Sequence, residues 1–134
     1  MTTVIRPEIS KKSKYWISKH RHYELKHFCL QYPEWKRCYI NTDGFKPVAA
    51  KSDNEYSDRT AQCGMLRAKY ADKIRLIEKI AKEADAELYE YILLAVTEGV
   101  SYTYLKTKLN IPCGRDMYYD RYRRFFWLLH SSRN

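Results

Sequence analysis

Arg115, Tyr119 and Arg123 recur every four residues in the run RDMYYDRYRRFFWLL near the carboxyl end, with Asp120 and Arg124 beside them. On a helix that spacing stacks the three side chains along one face. A face of guanidinium groups and a phenol offers donors to phosphate oxygens and to base edges in a DNA groove. The inward face is apolar. Tyr118, Tyr122, Phe125, Phe126 and Leu129 fall at i, i+4, i+7, i+8 and i+11, the stripe of a helix packed on a domain. Arginines on an amphipathic helix are ordinarily no more than its solvated side, so the surrounding elements must decide what they do.

The run before it, VSYTYLKTKLN, reads as a shorter helix with Tyr104, Leu105 and Leu109 expected inward and Lys106 and Lys108 outward. Gly99 suits the end of a preceding helix and Ser101 the cap of the new one. Ile111-Pro112-Cys113-Gly114 cannot continue a helix: proline lacks the donor and biases Ile111 toward extended angles. Helix, turn, longer helix is the outline of a helix-turn-helix DNA reader. In that frame Arg115, Tyr119 and Arg123 enter the major groove, while Lys106, Lys108, Arg121 and Arg124 hold phosphates. The turn from Ile111 to Tyr118 is longer than the usual motif allows, and Leu105-Lys106 stands where that motif has a small residue.

Upstream, Tyr70, Ile74, Ile77, Ala81, Ala84, Leu88, Tyr91 and Ala95 are spaced alternately by four and three, a heptad-like seam. It predicts one extended helix, or two bent near Glu83 to Ala86. The seam over 70–95 would pair either with a second copy, giving a homodimer, or with the amino-terminal part of the chain. Tyr15 to Tyr32 reads as a helix, with Ser18 a candidate cap. Pro33 opens a second short helix to Ile40 with Trp35, Cys38 and Tyr39 on its buried side. Residues 1–14 read as a basic arm bearing Lys11, Lys12 and Lys14. Asn41 to Ser57 reads as a loop, with a turn signal at Asp43-Gly44 and a breaker at Pro47. The expected architecture is all-α: a helical hairpin, a long central helix and a tri-helical carboxyl-terminal unit. Residues 1–56 form one region and 57–134 the other.

Charge narrows the partner. The chain of 134 residues carries a net +9. Residues 1–50 contribute +6, 51–98 contribute −2 and 99–134 contribute +5, so the basic charge sits at the two ends. An anionic partner follows, with double-stranded DNA ahead of a membrane or an acidic protein. No stretch approaches the length of a membrane span. Cys29, Cys38, Cys63 and Cys113 show no CxxC pairing and read as reduced thiols of a cytoplasmic protein. His20, His22 and His27 lack zinc spacing, so no metal or other cofactor is expected. No phosphate-binding glycine loop, GxSxG or HExxH is present, and the chain is not expected to be an enzyme.

The run GVSYTYLKTKLNIPCGRDMYYDRYRRFFWLL resembles the carboxyl-terminal region of small phage and mobile-element proteins. These are grouped with late-gene transcription regulators of the RinA/ArpU type, whose last part is similar to sigma factor region four. The opening KYWISKHRHYELKHFCLQYPEWK also resembles the start of such prophage proteins. The resemblance implies a regulator acting in the cytoplasm of a bacterial host, binding a promoter, RNA polymerase, or both. A second class of reading is a mobile-element inhibitor or adaptor that binds a host protein, in the manner of anti-CRISPR proteins. Its anchors would be Tyr15, Trp16, Tyr23, Trp35 and Tyr39, since aromatic side chains are frequent interface anchors.

Overall fold

The structure, a computed structural model, describes residues 14–43 and 53–133, with side chains over 14–41 and 61–133. These residues form six helices: α1 (Lys19–Leu30), α2 (Tyr32–Asp43), α3 (Asp53–Ala84), α4 (Tyr89–Glu98), α5 (Tyr102–Leu109) and α6 (Arg115–Ser132). No strand occurs among the described residues, and the chain is all-α. The expected basic arm lies almost wholly outside the described residues. Its last lysine, Lys14, lies over the Tyr15 ring at 4.8 Å. Of the loop expected over 41–57, residues 41–43 belong to α2 and 53–57 to α3, and the signals at Gly44 and Pro47 lie outside the described residues. α2 runs on to Asp43 and α3 starts at Asp53, and the residues between lie outside those described.

The seam resolves into two helices. Ile77, Ile80, Ala81 and Ala84 of α3 and Leu88, Ile92, Ala95 and Val96 beyond it are buried, which covers that part of the seam within the chain itself. The break between the helices is built by Asp85. Its Oδ1 accepts from the backbone N–H of Glu87 at 2.8 Å and of Leu88 at 2.9 Å. A short carboxylate that offers the backbone this alternative competes with helix continuation. α4 then restarts, with Tyr91 and Ile92 both donating to the Leu88 carbonyl.

The chain divides into two compact units. One holds α1, the last turns of α3 from Ile77, and α4 to α6. The other holds α2 and α3 up to Leu76. The division therefore separates α1 from α2 rather than falling at residue 56. In the first unit α1 packs against α4 and α6, and α6 also packs against α4. The whole predicted stripe of α6, from Tyr118 to Leu129, is buried there with Leu25, Phe28 and Cys29 of α1. Burial of each large apolar side chain contributes about 1.5–3 kcal/mol. His22 is buried against the Phe126 ring at 4.7 Å. Arg21 Nε donates to Nδ1 of His130 at 3.0 Å, and the Arg133 guanidinium lies 3.6 Å over the Phe28 ring. These contacts fix both ends of α1 on α6.

In the second unit Trp35 is buried, while Cys38 and Tyr39 are half-buried. Lys73 lies over the Trp35 ring at 5.3 Å. Arg67 lies over the Tyr39 ring at 4.6 Å and donates to its hydroxyl at 2.9 Å. These are cation–π contacts in which a charged head covers an aromatic face.

Candidate nucleic-acid interface

Three local devices set the path from α4 to α6. Gly99 adopts φ 69° and ψ 25°, the left-handed conformation, and its N–H donates to Ala95 O at 2.9 Å. Glycine takes this conformation without the steric cost a Cβ would add. Ser101 then caps α5, its Oγ accepting from Tyr104 N at 3.1 Å. α5 ends on Asn110 at φ 52°, also left-handed. The N–H groups of Asn110 and Ile111 both reach the Leu105 carbonyl. Ile111 itself is buried, giving the end of α5 an apolar anchor.

The phase of α5 follows from that cap. Tyr102 and Leu105 point inward and are buried, whereas Tyr104 and Leu109, expected inward, are exposed. Three-residue spacing from Tyr102 to Leu105 is the signal that would have identified Tyr102. Its hydroxyl donates to Cys113 O at 2.8 Å, tying the start of α5 to the turn before α6.

The residues expected to meet DNA fall into three groups. Lys106 and Lys108 on α5 and Arg115 at the start of α6 are exposed. None of the three forms an ion pair with a carboxylate among the described residues. Arg115 lies over the Tyr102 ring at 5.5 Å, which holds it at the edge where α5 and α6 meet. Arg123 and Arg124 are half-buried and also lack a carboxylate partner among the described residues. The Nε of each is enclosed with no hydrogen-bond partner.

Arg121 and Tyr119 are placed otherwise than the spacing suggests. Arg121 Nε donates to Asp85 Oδ2 at 2.9 Å, and its Nη1 bonds Asp120. Burial opposes the charge on Asp85, but the Leu88 and Glu87 amides and Arg121 outweigh it and hold the carboxyl below its ordinary value. Arg121 is thus a brace between α6 and the α3–α4 break. Tyr119 is half-buried in a ring cluster, 5.0 Å from Tyr118, 6.1 Å from Tyr122 and 6.5 Å from Tyr102. Residues 115, 119 and 123 lie at the border of the packed stripe rather than opposite it, because each fourth position rotates the side chain by only about 40°. Asp116 and Met117 are also exposed near the start of the helix.

The chain matches no protein-family model, no curated protein and no solved structure. No described helix is long and apolar enough to cross a membrane. No disulfide joins the four cysteines, all of which lie among the described residues; Cys29 is buried, and burial pushes its thiol up to about 12.

Proposed function

We propose that this chain binds duplex DNA through the edge formed by the second half of α5, the 110–114 turn and the start of α6. The observation that carries the reading is the exposed set Lys106, Lys108 and Arg115, free of carboxylate partners among the described residues and held on two helices with defined caps. Surface lysines and arginines left unpaired are available to displace counterions from a phosphate backbone. Arg123 and Arg124 extend the cationic surface along α6. Base contacts then fall to Arg115 and Arg123 alone, while Tyr119 and Arg121 shape the helix that carries them. The resemblance of 99–129 to late-gene regulators points to promoter DNA as the target, and to RNA polymerase as a second partner in a bacterial host.

The rival reading, capture of a host protein through aromatic anchors, has less exposed surface to draw on. Tyr15 and Trp35 are buried and Tyr39 lies under Arg67, leaving Trp16 and Tyr23 exposed.

Fluorescence anisotropy on labelled duplexes at two salt concentrations tests the proposal. The full chain is expected to bind, with affinity falling steeply as salt rises. A variant carrying Lys106→Ala, Lys108→Ala and Arg115→Ala should lose about 2–3 units of the log–log salt slope. An unchanged slope and affinity in that variant would reject the edge as the binding surface.

A further inference from the structure

A cavity of about 150 Å³ opens in the first unit where α1, the α4–α5 connection, α5 and α6 meet. Its walls are unusually rich in phenols: Tyr102, Tyr118, Tyr119 and Tyr122. Consecutive ring centroids in this group lie 5.0–6.5 Å apart. Leu30, Ala95 and Val96 supply apolar wall, and Lys26 is the one cation at the lining. Lys26 is half-buried and forms no ion pair among the described residues.

Two further observations point to a ligand. Tyr118 is 98% buried by its 2% exposure, yet its hydroxyl has no hydrogen-bond partner among the described residues. Tyr122, at 9% exposure, is in the same position. Neither hydroxyl oxygen is itself enclosed, so each stays reachable from the cavity that the two rings line, where a bound group can accept from it. Burial, the largest influence on each, pushes both phenols up, so they remain O–H donors at neutral pH. The lining thus offers two neutral donors, one ammonium and several aromatic faces, and lacks any carboxylate. The cavity opens to solvent, and its volume is on the order of that which accommodates benzene elsewhere.

We propose that this cavity binds a small aromatic monocarboxylate of benzoate size, its ring among the tyrosine faces and its carboxylate toward Lys26 and the phenols of Tyr118 and Tyr122. The ring–ring contacts provide apolar burial, and the charge-assisted hydrogen bonds fix the orientation. The site is independent of the DNA reading and is tested without nucleic acid.

Calorimetric titration of the full chain with benzoate is the test, with benzamide as the neutral isostere. Saturable binding of benzoate is expected, at least about tenfold tighter than benzamide, since an ionised acceptor strengthens each hydrogen bond. Lys26→Met should weaken benzoate about tenfold while leaving benzamide unchanged. Tyr118→Phe keeps the ring and removes one donor, and should weaken benzoate by roughly three- to tenfold. Thermal unfolding of each variant confirms that it remains folded. Absence of saturation below about 10 mM would overturn the proposal, that being the affinity floor for a nine-atom ligand with even modest efficiency. So would equal binding of benzoate and benzamide, or indifference of benzoate to both substitutions.

Discussion

Asp85 joins three separate tasks in one carboxylate. It ends α3, caps the restart toward α4 through two amides, and receives Arg121 from α6. Its carboxyl is held below the ordinary value, so its contribution to stability is present above the unfolded value near 3.9 and is lost as pH falls through the lower folded one. Acid titration of unfolding should therefore show a loss below about pH 4 that shrinks in Asp85→Asn. The Arg121 pair is partly solvent-exposed and by itself contributes no more than about 1 kcal/mol, so the loss of the amide contacts should dominate in Asp85→Ala. Gly99 is the second single residue on which the path depends. A Cβ there would meet only Leu30 Cδ2, at 3.7 Å, so space is adequate and the left-handed backbone alone carries the penalty. Gly99→Ala should cost about 1–2 kcal/mol in denaturant unfolding.

At the scale of elements, α6 and α5 differ in how much their sequences reveal. The five-residue apolar stripe of α6 is buried throughout, because a long helix with a wide apolar face has one orientation that hides it. α5 has eight residues, too few for periodicity to choose a face, and its phase comes from the Ser101 cap and the Tyr102 hydroxyl bond to Cys113. That is why Tyr104 and Leu109 face outward against expectation. Four-residue spacing with Arg115 and Arg123 identifies a row, but not which side of the stripe the row borders, so the ring contacts of Tyr119 do not follow from it. Three of the clustered rings are neighbours on α6 and the fourth lies on the preceding α5, but their meeting with Lys26 of the distant α1 leaves no local signature. The element-level consequence is a contrast between two substitutions. Tyr119→Phe keeps the rings and should leave duplex affinity unchanged in anisotropy, whereas Lys108→Ala should lower the salt slope by about 0.9. A large loss of affinity in Tyr119→Phe would restore its hydroxyl as a DNA contact.

For the whole molecule, the charge pattern and the two-unit division were legible to different degrees. Basic charge at both ends around a nearly neutral middle follows directly from the sequence. The grouping of α1 with α4 and α6 does not, because contacts across roughly 60 or more intervening residues rest on shape rather than on local pattern. Of the α1 histidines, His22 is buried against Phe126, while His20 and His27 are exposed. The most direct test of the DNA edge is titration of the ¹⁵N-labelled full chain with a short duplex, followed by amide chemical shifts. The largest shifts are expected from Lys106 through Arg115, with a second group near Arg123 and Arg124. Shifts confined to α2 and α3, or centred on Trp16 and Tyr23, would contradict it.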